Sequence, residues 1–389
     1  MPQIPIILIG EKDHGKSTLI GRFLLDTKSI EENRIREVQE IDRTLGKEFE
    51  LAHLVDSFKE EREREMTMET TTVQIKGKKR NYLLIDVPGH EELISQMITG
   101  ASKGKTALLL VAVDEGIKEQ TIRHLEIAKL LGIEKVGVVL NKMDKVDYKK
   151  EIFGKLKREM EKILEKVGYF PKSVHFFPIS AKNGDNVILK SKRILWYEGK
   201  TLFDFLEKDI GEPENFENLP LRFLVQDKYL IDGKEILVGK VESGKLKVGD
   251  EILFLPEKKI AKVIEIKEFE ENLKEAKAGQ NVGLVLKKNF ETERGSVGCF
   301  PEFPLDVLNS LEGEIFWIES PKIKKLIFEC GTKSTEGEIL EPKKILQNQK
   351  TFYKAKLEEK IASDPQSKTI LSKVILKEKG KIIGVGNII

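Results

Sequence analysis

The segment 10–17, which reads G-E-K-D-H-G-K-S, constrains the fold more than any other part of this chain. Its spacing of glycine, lysine and serine is typical of a phosphate-binding loop where a strand precedes it and a helix follows it. An apolar run at residues 4–9 comes before the segment, and residues 18–24 have the pattern of the first turns of a helix. The sequence therefore predicts a strand, a glycine-rich loop and a helix that hold an anion between them.

The glycines of this loop have a predicted role in the backbone. Without a β-carbon they let successive N–H groups turn toward one anion, and the positive end of the helix dipole adds to the attraction. Lys16 would reach the β- and γ-phosphates of a nucleotide, and the Ser17 hydroxyl would ligate Mg²⁺. The alternative, for the pattern alone, is a glycine turn with an exposed lysine. The residues predicted to contact the nucleotide here are Gly10, Asp13, His14, Gly15, Lys16, Ser17 and Thr18.

A second group of residues is predicted to sense the third phosphate. Asp86 ends an apolar strand at residues 82–85, a position from which a carboxylate can hold Mg²⁺, and Gly89 offers an unobstructed N–H to the γ-phosphate. His90 would orient the attacking water, and Thr67 would reach the metal only while the third phosphate is present, which makes its loop a switch. The alternatives are an ordinary turn and a solvated run of charges. The predicted catalytic residues are Lys16, Thr67 and His90, and the predicted metal ligands are Ser17, Thr67 and Asp86.

Two later stretches are predicted to bind the base of the nucleotide. Asn141, Lys142 and Asp144 follow the apolar run at residues 136–140. An Asp carboxylate accepts hydrogen bonds from guanine N1–H and the exocyclic amine, which adenine does not supply, while the lysine stem can lie over the base. Farther on, the loop formed by Ser180, Ala181 and Lys182 follows another strand, and a backbone N–H there would donate to guanine O6.

The order of apolar runs predicts the domain organisation. Up to about residue 210, strands alternate with helices, which implies an α/β domain with a mostly parallel sheet around the phosphate loop. After a polar break, short strands punctuated by glycine predict two antiparallel β-barrels. We expect a GTP-binding domain at residues 1–210 and barrels at residues 218–305 and 311–389.

Composition excludes some classes of protein. The chain has 389 residues, with 67 Lys and Arg against 65 Asp and Glu, so any nucleic-acid binding would have to be local. Its two cysteines do not make a disulfide framework. The chain shows neither a signal peptide nor an apolar run long enough to span a bilayer, so we expect a cytoplasmic protein without membrane contact.

Together these motifs resemble the translation-factor class of GTPases, over essentially the whole chain. The resemblance rests on the segment 10–19, the acidic and basic run 61–67, the stretch 86–90 and the stretch 141–144, in the order found in that class. It implies GTP or GDP with Mg²⁺ as the bound cofactor. It also implies GTP hydrolysis in which His90 positions the water and Thr67 senses the γ-phosphate.

Two branches of this class compete. Residues 17–22, 51–56, 331–334 and 381–389 look more similar to the GTPase subunit of sulfate adenylyltransferase, which acts with a separate catalytic subunit. An Arg-Phe-x-x-Arg-Asp stretch, expected near the end of the tRNA-carrying branch, is absent from the sequence. We therefore expect the sulfate-activating subunit in complex with its catalytic partner. The alternative is a translation elongation factor that delivers aminoacyl-tRNA to the ribosome.

Two departures from the family pattern leave a third possibility open. Lys12 stands where the family has valine, and Glu65 stands where it has glycine before the switch threonine. These changes allow a GTP-dependent binding switch with little turnover.

Overall fold

The computed structural model describes residues 3–56, 71–86, 106–170, 174–211, 216–231, 233–268, 271–287, 292–367 and 369–389. The chain divides into two compact units, Met1–Pro213 and Glu214–Ile389. They are called the first and the second unit below, and each is described by itself.

The first unit is built on a six-stranded sheet in the order β2-β3-β1-β4-β5-β6. Strands β1, β3, β4, β5 and β6 run parallel, and β2 is antiparallel to β3. Every residue of β4 is buried, as expected for an apolar strand with both faces covered. The strands are β1 (Gln3–Gly10), β2 (Thr71–Lys76), β3 (Asn81–Asp86), β4 (Thr106–Ala112), β5 (Lys135–Asn141) and β6 (His175–Pro178).

The register places the predicted site at one edge of this sheet. Gly10 pairs with Leu110, and Asn141 pairs with Ala112, so the carboxyl ends of β1, β4 and β5 lie side by side. In parallel α/β sheets, ligands bind beyond this edge, where neighbouring strands lead to helices on opposite sides. The loops that follow these strands therefore meet although they are far apart in the sequence.

Five helices accompany the sheet in the described part of the first unit, together with a short helical stretch at residues 51–56. The buried face of α1 packs Leu19, Ile20, Phe23 and Leu24 into the main apolar cluster. Among the described residues, no helix has the length and apolarity needed to cross a bilayer. The helices are α1 (Lys16–Asp26), α2 (Glu32–Thr44), α3 (Glu119–Leu130), α4 (Lys150–Val167) and α5 (Leu202–Lys208).

The second unit begins with a ring of antiparallel strands. The order is β10-β15-β7-β8-β14-β11-β12, and an additional pairing between β10 and β11 brings the two sides of the sheet together. Strands β9 and β13 form a separate pair. The strands are β7 (Arg222–Ile231), β8 (Lys234–Ser243), β9 (Lys245–Lys247), β10 (Glu251–Leu255), β11 (Lys259–Glu268), β12 (Glu271–Leu273), β13 (Glu275–Lys277), β14 (Asn281–Leu286) and β15 (Val297–Cys299).

A closed barrel follows, in the order β16-β19-β18-β17-β20-β21. Trp317, Phe328 and Tyr353 fill its interior, which explains the alternation of buried and exposed residues along its strands. The α/β domain with a mostly parallel sheet and the antiparallel β-domains after it confirm the predicted fold class. The boundary predicted between the two barrels stays a prediction. The strands are β16 (Asp306–Trp317), β17 (Lys325–Cys330), β18 (Lys333–Glu341), β19 (Gln349–Ser363), β20 (Lys373–Glu378) and β21 (Lys381–Asn387).

Between the two barrels lies a small apolar cluster, which we call the seam. Beside it, Arg222 Nε donates to Asp364 Oδ2 at 2.8 Å, and the same guanidinium donates to the carbonyls of Leu221 and Phe303. Apolar burial and a shielded ion pair thus join the two barrels within one unit. The seam consists of Leu224, Leu255, Val297, Cys299, Leu305, Ala362 and Leu371.

Candidate nucleotide site

The phosphate loop joins β1 to α1 and requires glycine at both ends. Gly15 has a φ of 92°, and a β-carbon on it would lie 2.4 Å from Asn141 Nδ2. A β-carbon on Gly10 would lie 2.6 Å from Leu110 O. Larger residues would push the loop away from β4 and β5, so the two glycines of the motif are explained by close packing as well as by backbone angle.

Lys16 arches over this loop. The side chain is buried, and its Nζ donates to Gly10 O at 2.7 Å and to Glu11 O at 3.0 Å. Helix α1 starts at this residue, and no side chain caps its first turn. An ammonium group and a helix N-terminus that converge on one loop form a site for a phosphate anion.

His14 lies beneath the loop. Its ring is fully buried, with Nδ1 3.2 Å from Leu110 O and Nε2 3.7 Å from Glu115 Oε2. Burial lowers the pKa of His14 below its ordinary value, since it disfavours the charged imidazolium. The ring thus supports the loop from below, and the predicted contact of His14 with the nucleotide stays a prediction.

Asn141 connects three loops of the site. It is 2% exposed, its Nδ2 donates to His14 O at 3.0 Å, and its Oδ1 accepts from Ala181 N at 3.0 Å. One amide therefore ties the end of β5 to the phosphate loop and to the loop after β6. Because a buried amide that loses its partners is costly, this side chain fixes the relative position of the phosphate and base regions.

Asp144 is held in place by the loop after β6. Ser180 Oγ donates to Asp144 Oδ1 at 2.6 Å, and Asn183 N donates to Ser180 Oγ at 3.2 Å. Lys142 takes a left-handed backbone conformation with a φ of 64°, and its Nζ lies 3.3 Å from Glu115 Oε1. The serine contact occupies one oxygen of the Asp144 carboxylate, and Asp144 and Lys142 both line the cavity described next.

A cavity of about 470 Å³ opens between the two regions, within the range of roughly 300–1,000 Å³ that small-molecule sites occupy. Asp13, Gly15 and Thr18 line it on the phosphate side. The base side is lined by Asn141, Lys142, Asp144 and Lys182, together with Arg22 and Lys145. Residues that are far apart in the chain thus meet around one cavity of the size of a nucleotide.

One wall of this cavity was not predicted from the sequence. Glu48, Phe49, Glu50 and Leu51 line it, just after α2. This segment packs closely against α1 because Gly21 has no side chain; a β-carbon there would lie 2.0 Å from Leu51 O. No motif or periodicity in residues 47–51 distinguishes them from a surface loop, so the sequence carries no signal for this contact.

Two of the three residues predicted to ligate Mg²⁺, Ser17 and Asp86, lie among the residues that the structure describes. Asp86 is 5% exposed at the end of β3, where it pairs in register with Leu8 two residues before the phosphate loop. Ser17 lies in the first turn of α1. Carboxylate and hydroxyl oxygens suit a hard cation such as Mg²⁺, so these residues fit the metal. Thr67, Gly89 and His90 lie outside the described residues.

Comparison with known proteins identifies the class. Residues 1–212 match the family model described as the elongation factor Tu GTP binding domain, and residues 235–299 match elongation factor Tu domain 2. The chain therefore belongs to the elongation factor Tu family of GTPases, and its cofactors are GTP or GDP and Mg²⁺. The cavity beside the phosphate loop, with its carboxylate at the base end, is consistent with this assignment.

Relatives in this family carry the name elongation factor 1-alpha. The protein of Pyrococcus abyssi is 41% identical over 319 residues, which cover 79% of this chain and 73% of that protein. The protein of Pyrococcus horikoshii has the same identity and coverage. That of Pyrobaculum calidifontis is 38% identical over 307 residues, which cover 76% of this chain and 69% of that protein.

These relatives correct the predicted function and the predicted partner. The sulfate adenylyltransferase assignment, with a separate catalytic subunit, is wrong, because the similarity over most of the chain is to elongation factor 1-alpha. Of the stretches that suggested it, residues 17–22 lie beside the phosphate loop, whereas residues 331–334 and 381–389 belong to the second unit. Each stretch spans only a few residues, so it discriminates poorly between related branches of one class.

Proposed function

We propose that this chain is a translation elongation factor that delivers aminoacyl-tRNA to the ribosome under the control of GTP. The observation that carries the proposal is the 41% identity to proteins named elongation factor 1-alpha over 79% of the chain. The two family matches lie within residues 1–299, so the support is strongest for the GTP-binding domain and the first barrel.

Within this function, the residues of the described site have separate roles. Lys16 and the N–H groups of the first turn of α1 bind the phosphates, and Asp144 accepts hydrogen bonds from guanine. These groups are already held by the protein before the ligand arrives, so little reorganisation is needed when charge develops on the transferring phosphoryl group. Mg²⁺, when bound through Ser17 and Asp86, neutralises charge on the phosphate oxygens.

The roles of Thr67 and His90 remain part of the proposal. Thr67 would sense the γ-phosphate, and His90 would orient the attacking water. Replacing His90 with alanine should slow GTP hydrolysis and leave GTP binding intact, as measured by single-turnover hydrolysis and by titration with a non-hydrolysable GTP analogue. Equal hydrolysis rates in the two proteins would refute the role of His90.

The central experiment is binding of aminoacyl-tRNA. The purified chain, loaded with a non-hydrolysable GTP analogue, should protect the aminoacyl ester of labelled tRNA from hydrolysis, and the GDP-loaded chain should protect it much less. Binding should weaken as salt rises, because phosphate contacts release counterions. Deacylated tRNA is the control. A chain that binds GTP but gives no protection in either nucleotide state would refute the proposed function.

A further inference from the structure

Arg22 joins the helix after the phosphate loop to the loop after β6. Its Nε donates to Ala181 O at 3.0 Å, and one terminal nitrogen donates to Lys182 O. The other terminal nitrogen lies 3.2 Å from Asp26 Oδ1, one turn along α1. The side chain is only 16% exposed, so all three nitrogens of a largely shielded guanidinium have partners.

These contacts fix the orientation of two peptide planes. In a trans peptide, the carbonyl of one residue and the N–H of the next point in opposite directions within one plane. Because Arg22 holds Ala181 O on one side, the N–H of Lys182 must point to the other side. In the same way, the contact with Lys182 O orients the N–H of Asn183, which donates to Ser180 Oγ.

Only one of the three successive N–H groups in this loop is left for a ligand. The N–H of Ala181 donates to Asn141 Oδ1, and that of Asn183 donates to Ser180 Oγ. Within the described part of the chain, the N–H of Lys182 makes no hydrogen bond. Lys182 and Asp144 both line the cavity, as does Arg22. A residue with an N–H available as a donor and a residue with a carboxylate acceptor thus line the same cavity.

We propose that Arg22 is a positioning residue for recognition of the 6-oxo group of guanine. By holding the carbonyls of Ala181 and Lys182, it directs the N–H of Lys182 toward purine O6, while Asp144 accepts from N1–H and the 2-amino group. The inference rests on the nucleotide site of the proposed function. Arg22 belongs neither to the phosphate-loop motif nor to the base motif. The inference gives it a role in the preference of the site for guanine.

The test separates recognition of O6 from recognition of the 2-amino group. 6-Thio-GDP keeps N1–H and the 2-amino group but replaces O6 with a weaker acceptor, and IDP keeps O6 but lacks the 2-amino group. Wild-type protein should prefer GDP over 6-thio-GDP by about 3- to 10-fold, the size expected for one net hydrogen bond. In Arg22→Gln this ratio should fall toward unity, while the ratio of GDP to IDP stays unchanged.

Matched variants show whether the two carbonyl contacts of Arg22 are responsible for the preference for GDP over 6-thio-GDP. Asp26→Asn removes the ion-pair partner of Arg22 but keeps both carbonyl contacts, so it should retain the wild-type ratios. Arg22→Lys, whose ammonium is a single point donor, should give an intermediate ratio of GDP to 6-thio-GDP. Affinities are measured by displacement of a fluorescent GDP from the full chain. Thermal unfolding establishes that each variant is folded, and Arg22→Lys carries the test if Arg22→Gln does not fold.

Three outcomes would overturn the proposal. An unchanged ratio of GDP to 6-thio-GDP in folded Arg22 variants would show that Arg22 does not direct the O6 donor. A parallel fall of both ratios would show a general loss of loop structure. A wild-type chain without preference for GDP over ADP would overturn the nucleotide site as well, and aminoacyl-tRNA protection remains a separate readout of the proposed function.

Discussion

Arg22 in the first unit and Arg222 in the second have the same chemistry in different surroundings. Each donates to two backbone carbonyls and to one carboxylate, Asp26 or Asp364. Around Arg22 the neighbours are polar loops that line a cavity. Arg222, 7% exposed, lies beside the apolar seam between two barrels.

This difference separates ligand recognition from stability. When a guanidinium holds loops beside a cavity, its loss redirects donors that a ligand uses, and water can replace part of the lost contacts. When it lies in a largely buried seam, its loss removes the donor that a carboxylate and two carbonyls share, and the folded state bears the cost. We therefore expect changes around Arg22 to alter nucleotide selectivity and changes around Arg222 to alter unfolding of the second unit.

The largest effect should come from Asp144→Asn in the base region. Guanine N1–H and the 2-amino group both need an acceptor, and the carboxylate offers two. The amide of Asn offers one acceptor and one donor, so GDP affinity should fall by roughly 100- to 1,000-fold. An amide N–H₂ can donate to the 2-oxo group of xanthine, so affinity for XDP should rise. Calorimetric titration with GDP, XDP and ADP checks both changes. An equal loss for GDP and ADP would contradict base recognition by this carboxylate.

The next effect concerns the seam. Arg222→Met should lower the free energy of unfolding of the second unit by about 2–3 kcal/mol, because a largely buried pair loses one member while Asp364 keeps some contact with water. Nucleotide affinity should not change. The control, Lys245→Met, removes the solvent-accessible pair with Glu217 and should lower the free energy of unfolding much less, because water screens that pair.

Tryptophan fluorescence can show whether the loss of unfolding free energy in Arg222→Met belongs to the second unit. The chain has two tryptophans, and Trp196 lies in the first unit while Trp317 lies in the core of the closed barrel. In a Trp196→Phe background, urea unfolding followed by fluorescence reports the second unit. Equal destabilisation by Arg222→Met and Lys245→Met would contradict the special role of the seam.

The smallest effect should be a pH dependence confined to the first unit, which contains all five histidines of the chain. Burial lowers the pKa of His14 in the folded state, so the unfolded chain takes up a proton first as pH falls through 6.5. The His14 contribution therefore favours folding above that pH and is lost progressively below it. His14→Gln should reduce the fall in unfolding free energy of the first unit between neutral and mildly acidic pH, as measured by urea titrations. An identical slope in the variant would contradict a buried neutral imidazole.

Much of the fold followed from local pattern. The apolar runs before residues 10, 86 and 141 became β1, β3 and β5 because fully buried parallel strands need continuous apolar residues. The close contacts that Gly10 and Gly15 make show why the spacing of the phosphate loop is strict. The base motif around Asp144 also lies where its position after a strand predicted it.

The branch of the family did not follow from local pattern. Short stretches favoured the wrong relative, and two of them, residues 331–334 and 381–389, lie in the second unit, far along the chain from the phosphate loop. Similarity over 79% of the chain corrected that prediction, because it samples core and surface positions that the nucleotide does not constrain.

By itself, the sequence determined the strand–loop–helix setting of the phosphate loop and predicted which carboxylate would meet the purine, because both depend on side chains at set distances from strand ends. Only the tertiary structure decided that Arg22 holds the carbonyls of Ala181 and Lys182, about 160 residues away, and that Phe49 lines the same cavity. The physical reason is that every residue has a backbone carbonyl. A residue that accepts a hydrogen bond through its backbone carbonyl can have any side chain, so the sequence does not indicate the contact. The fold alone brings the two partners together.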